Sequence, residues 1–100
     1  MIRDTNQTTE NLADLRKQID EIDINIIETL SKRMRISREI GTYKKEHDMT
    51  VLQTNRYDEV ISKRAQQGES LGMSNEFMTA IFEAIHAESV RQQMKIMEEN

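Results

Sequence analysis

Apolar residues at Leu12, Leu15, Ile19, Ile22, Ile26 and Leu30 advance along the chain in steps of three and four. That spacing marks one face of an α-helix. Residues 12–44 contain no proline and a single glycine, Gly41, near the end of the stretch, so nothing breaks the pattern early. At about 100° per residue, Arg33, Ser37 and Lys44 project within roughly 40° of Leu15 and continue the same stripe. A helix is expected from about residue 10 to residue 46. Thr9 or Asn11 serves as its cap, and Lys44 and Lys45 complement the dipole at its C-terminus.

The length of that helix poses a problem. Roughly 36 residues at 1.5 Å each give about 54 Å. A compact chain of this size has a radius of gyration of about 13 Å, hence a diameter of roughly 33 Å. Part of the apolar stripe would stay bare on a monomer, and Gly41 comes too late to break the helix. A second copy covering the stripe, in an intertwined homodimer, resolves the conflict.

A second helix is expected over about residues 53–67, with Tyr57, Val60 and Ile61 as its apolar contacts. Gly68 and Gly72 bracket the next loop. Ser74 then offers an N-cap, Glu76 suits a first turn, and Met73 with Met78 has the spacing of a hydrophobic staple. The third helix is expected over about residues 75–97, burying Met78, Ile81, Phe82, Ile85 and Ile96. Ser89 and Gln93 lie one turn apart on or beside that face. No stretch alternates with period two, so the fold class is all-α, with one long, one short and one medium helix. Residues 1–9 are polar and read as a flexible N-terminal segment or linker remnant, and residues 10–100 as the domain.

Composition narrows the function. Only 36% of residues are hydrophobic and four are aromatic, so the core is modest and a dimer would enlarge it. A net charge of −4 argues against nucleic acid or a polybasic membrane role, and any anion site must be a local cluster. The absence of cysteine excludes disulfides and thiolate zinc, and His47 and His86 form no ligand motif. No apolar run approaches the roughly 18 residues of a spanning helix, and no signal-type h-region opens the chain. A soluble, cytoplasmic protein with neither metal nor cofactor is expected.

The usual catalytic motifs are missing as well: there is no GxSxG, no glycine-rich phosphate loop and no cysteine nucleophile. Asp20, Glu21, Asp23, Glu28 and Glu39 mostly sit off the stripe and read as solvated face. His86 reads as packed or surface, and the methionines as core filler. The cations differ. Arg33 and Lys44 share a face three turns apart, about 16 Å along the axis, close enough to clamp a small anion between long side chains. The alternative is that both snorkel at the edge of a bundle. Arg16 points about 100° away and reaches such a cluster only from a second chain. Arg56 opens the second helix, and Ser89 and Gln93 add a hydroxyl and an amide. A ligand with several carboxylates fits these groups, without being named by them.

The landmarks are LRKQID with Arg16, LSKRM with Arg33, EIGTYK with Lys44, Arg56 at the start of the second helix, and ESVRQQ with Ser89 and Gln93. In this order and spacing, over residues 12–93, the chain resembles the all-helical (AroQ-class) chorismate mutases of the bacterial intertwined-dimer type. The resemblance implies conversion of chorismate to prephenate in phenylalanine and tyrosine biosynthesis. It implies that Arg33, with Arg16 of the partner subunit, holds the two substrate carboxylates, Ser89 assisting. Lys44 would contact a carboxylate and the ether oxygen of the breaking bond, Gln93 would donate to that oxygen, and Arg56 would lie near the substrate. Two positions depart from the family: Tyr57 stands where a glutamate binds the ring hydroxyl, and Gln53 replaces a neighbouring acidic residue. Altered affinity and pH response are expected, or else Asp58 or Glu59 takes over the hydroxyl. The family is often joined to prephenate dehydratase, prephenate dehydrogenase or the first synthase of the shikimate pathway, so the chain is a mutase alone or one domain of a larger enzyme. The competing readings are an isochorismate–pyruvate lyase on the same fold and a non-catalytic helical dimerisation or regulatory module.

Overall fold

The computed structural model describes residues 5–99, with side chains from residue 11 onward. Three α-helices follow one another: α1, Thr5–Glu46; α2, Thr54–Ser70; and α3, Asn75–Glu98. Among the described residues there is no strand, in agreement with the all-α expectation. Helix α1 begins at Thr5, about five residues earlier than expected, which places Thr9 and Asn11 inside it instead of at its cap. Neither proline nor glycine occurs over residues 5–10, so propensity alone gives the helix no reason to stop there. Residues 1–4 of the expected N-terminal segment lie outside the described residues.

Contacts divide the chain into two compact units, Met1–Arg33 and Met34–Asn100. In the first, the expected apolar stripe is uncovered. Leu15 is 55% exposed, Ile19 57% and Ile22 55%, and Leu12 and Ile26 are similarly bare. Burying one such side chain fully is worth about 1.5–3 kcal/mol, so this face carries a large unrealised stabilisation.

The second unit combines the last turns of α1 with α2 and α3. Residues of α1 meet α3 in rising order. Met34 lies beside Ser89, Ser37 beside Ser89 and Gln93, Arg38 beside Gln92, and Lys45 beside Ile96. The two segments therefore run parallel. Helices α2 and α3 run antiparallel instead, with Tyr57 against His86 and Gly68 against Met78. So α3 gives its first half to α2 and its second half to α1. Among the described residues Val60, Ala65 and Met78 are the buried apolar side chains, whereas Ile81, Phe82, Ile85 and Ile96 are only half-buried.

Gly68 corrects an expectation. It lies within α2 and is buried, not in the following loop, because the Met78 side chain occupies the space where its Cβ would be. The helix ends three residues beyond the expected boundary, as the amides of Leu71 and Met73 bond to the Gly68 carbonyl and that of Gly72 to Glu69. Gly72 itself takes φ +89°, the conformation that closes a helix and that glycine adopts without strain. Ser74 then caps α3 as expected, its hydroxyl accepting from the Phe77 amide at 3.1 Å, with Glu76 in the first turn.

Between α1 and α2 the chain turns through Asp48 at φ 53°, a conformation that aspartate tolerates better than most residues. The Met49 amide bonds back to the Lys44 carbonyl at 2.8 Å. Gln53 then donates to the Thr50 carbonyl at 2.8 Å and to its hydroxyl at 3.2 Å. These bonds fold the loop back toward the Lys44 side chain.

Candidate active site at the junction of α1 and α3

The site begins with two small residues. A Cβ at Gly41 would lie 3.1 Å from the Gln93 backbone and 3.3 Å from its side chain, so glycine lets α1 approach α3 here. Ser37, one turn earlier on the same face, is 4% exposed. This close approach brings Lys44, one turn after Gly41, onto Gln93. Its Nζ donates to Gln93 Oε1 at 2.9 Å and to the Val51 carbonyl at 2.6 Å.

Lysine has donors only, so the oxygen of the Gln93 amide must face it. The amide nitrogen then donates to Ser37 Oγ at 3.1 Å, and the Ser37 hydroxyl donates to the Ser89 carbonyl at 3.3 Å. Gln93 and Ser89 are each 7% exposed. Among the described residues every buried side-chain nitrogen and oxygen has a partner, as buried polar groups require. The chain of bonds Lys44–Gln93–Ser37–Ser89 fixes the amide in one orientation. Lys44 has used two of its three N–H groups and Gln93 one of its two, leaving each with a further donor. A cation and a neutral amide side by side are suited to an oxygen that gains negative charge. They are the wrong groups for ligating a metal cation. Burial holds the Lys44 pKa below the ordinary lysine value.

Ser89 Oγ lies 3.8 Å from the Met34 sulfur, under the same junction. Arg16, exposed, and Arg33, half-buried, belong to the first unit and are described with it. Arg56 does not turn toward Lys44. It is exposed and pairs with Glu59 at 2.7 Å along α2, and Glu59 also meets Lys63 at 3.3 Å. Pairs three and four residues apart form readily on a helix surface. Lys63 and then Arg56 hold the Glu59 carboxyl below its usual range, so Glu59 is engaged on an exposed face and not at the junction. Gln53 is half-buried and committed to the loop.

Tyr57 lies in a concavity of about 510 Å³ with Leu52, Thr54, Glu83, His86 and Ala87. Its ring meets that of His86 at 4.5 Å and a 53° tilt. Burial first, then the charges of Glu83 and Asp58 and a hydrogen bond to Glu83, push the Tyr57 hydroxyl above its ordinary pKa. Sequence reasoning gave no role to Ser37 or Glu83 and read His86 as packed or surface. For Ser37 the signal was there: it shares the stripe with Arg33 and Lys44. Nothing local in the sequence marks Glu83.

Fold and site together define a small all-helical domain that sets a lysine and an amide side by side as donors. More specifically, residues 15–94 match the family described as chorismate mutase type II, and the chain belongs to that family. It is 26% identical over 80 residues to the T-protein of Haemophilus influenzae, covering 80% of this chain and 21% of that protein. It is also 26% identical over 83 residues to the 4-amino-4-deoxychorismate mutase of Streptomyces pristinaespiralis, covering 83% of this chain and 64% of that protein. The bifunctional chorismate mutase/prephenate dehydratase of Buchnera aphidicola is 26% identical over 87 residues, 87% of this chain and 23% of that protein. The chain thus spans about a fifth of the length of the first relative.

Proposed function

We propose that this chain catalyses the rearrangement of chorismate to prephenate, as a homodimer and without cofactor. The observation that carries the reading is the Lys44–Gln93 pair, locked by Ser37 and Val51 with one N–H to spare on each residue. The reaction is intramolecular: one C–O bond breaks as a C–C bond forms, so no nucleophile is required. The site has two tasks. It holds a flexible dicarboxylate in its compact conformer, an orientation effect. It also stabilises negative charge on the ether oxygen as the bond stretches, which Lys44 and Gln93 do without reorganising.

Arg33 and Arg16 of the partner subunit bind the substrate carboxylates, with Ser89 alongside. The dimer is supported by the bare stripe on residues 12–26, which a second copy covers. Fusion to further domains, as in the Buchnera relative, leaves this step with these residues.

Purified protein should consume chorismate and yield prephenate. Lys44→Ala and Gln93→Ala should each lower kcat by about 10² or more, the scale of one lost charge-stabilising donor. Pyruvate release from isochorismate faster than chorismate loss would establish the lyase instead. No turnover of either substrate by the dimer would leave a non-catalytic helical module.

A further inference from the structure

Gly41 has no backbone reason to be glycine. It lies inside α1, which continues past it to Glu46, and of the glycines only Gly72 takes a positive φ. A glycine within a helix lowers its stability relative to alanine. Space is the remaining reason. A Cβ at Gly41 would stand 3.1 Å from Gln93 Cα and 3.3 Å from Gln93 Cβ and Cγ. The nearest of these atoms is backbone, so rotating the Gln93 side chain does not relieve the contact. The neighbour must instead give by a few tenths of an ångström.

What fills the space differs from what fills it at Gly68. There the atoms are Cγ, Sδ and Cε of Met78, an apolar contact with no donor at its end. At Gly41 they belong to the residue whose amide faces the Lys44 ammonium. Ser37, Gly41 and Lys44 share one face of α1 at spacings of four and three. Gly41 is the bare floor between two polar walls. The Gln93 stem rests on that floor, its nitrogen donates to Ser37 at 3.1 Å, and its oxygen accepts from Lys44 at 2.9 Å. An amide raised off the floor cannot keep both bonds at these lengths. Its second N–H, whose direction those bonds fix, then swings away from its line.

We propose that Gly41 is a positioning residue for the rearrangement. Its missing methyl group sets the depth of the Gln93 amide, and with it the direction of the N–H left for the reacting oxygen. The inference rests on the mutase reading. It separates two effects that a packing role would join: alanine at this position adds helix propensity yet lowers turnover.

The test measures kcat, KM and melting temperature with chorismate for wild type, Gly41→Ala, Gly68→Ala, Gln93→Ala and the double variant Gly41→Ala/Gln93→Ala. A misplacement of about 1 Å can lower a rate by roughly 10², so a shift of a few tenths in Gly41→Ala should lower kcat by about three- to tenfold, with KM within about twofold. Gly68→Ala, the packing comparison, should lower melting temperature and leave kcat within about twofold. Once the amide is gone, adding Gly41→Ala to Gln93→Ala should change kcat by less than about twofold. An unchanged kcat in Gly41→Ala, a loss carried by KM, a variant that does not fold, or an equal loss in both backgrounds makes Gly41 a packing residue and overturns the inference, while wild-type turnover keeps the mutase reading standing. Absence of chorismate turnover in the wild type overturns both.

Discussion

On the mutase reading, Ser37 is a positioning residue that acts through Gln93. It is nearly inaccessible, and its hydroxyl joins the Gln93 amide to the Ser89 carbonyl. Ser37→Ala removes the acceptor of the Gln93 nitrogen and leaves the amide held through Lys44 alone. Loss of a hydrogen bond of this kind costs about 0.5–1.5 kcal/mol, so kcat should fall by up to about tenfold with a smaller change in KM, and Ser37→Thr should recover part of the loss. A purely structural role would lower melting temperature without this kcat bias. Lys44 acts as a cation, and burial lowers its pKa. Because the charged form is lost as pH rises through that lowered value, the basic limb of kcat/KM should fall below the ordinary lysine range. Gln93 does not titrate and sets no acid limb. Gln93→Glu should confine activity to acidic pH, where the carboxyl is protonated and can donate. That Lys44 continues the stripe of α1, and that Ser89 and Gln93 lie on or beside the packed side of α3, was legible from spacing, because helical periodicity fixes which side chains share a face. The partners of Arg56 and Gln53 were not, because both bond over short range, to Glu59 and to Thr50, and periodicity does not mark such bonds.

At the level of elements, the junctions rest on missing side chains. Gly68 admits Met78 into the α2–α3 contact, and Gly41 admits Gln93 into the α1–α3 contact. Gly68→Ala should destabilise the protein by about 1–3 kcal/mol, as overpacking does, and pairing it with Met78→Ala should cost less than the sum of the single changes. Chemical denaturation of the four proteins measures this. From sequence, helix existence was clear because proline is absent and apolar positions recur at three and four. Helix ends were less so. Gly68 reads locally as a terminator, and only the Met78 side chain arriving from the next helix shows that it is a contact surface. The early start of α1 has the same origin: polar residues 5–9 carry turn signals, yet nothing in them forbids a helix.

For the whole molecule, the unit up to Arg33 exposes its apolar stripe while the unit from Met34 has a core of Val60, Ala65 and Met78. On the dimer reading, folding and association are one equilibrium, and melting temperature should rise with protein concentration. Ile19→Glu with Ile22→Glu should shift sedimentation to monomer and remove activity together, because on that reading each site takes its Arg16 from the other chain. A monomer retaining full activity would contradict that arrangement. Charge and composition narrowed the possibilities at this scale, but a single chain's pattern cannot say which copy covers which face.

The bond from Lys44 to the Val51 carbonyl has one more consequence. The ammonium that serves the reacting oxygen on the mutase reading also fastens the loop that leads into α2 and Tyr57. Ligand occupancy and loop order are then thermodynamically linked: a substrate that draws on the lysine's remaining N–H freezes a side chain already tied to residues 49–53. Amide hydrogen exchange across that stretch should slow when a substrate analogue binds. In Lys44→Ala it should be fast with or without ligand, so part of that variant's lost turnover is lost order and not lost charge.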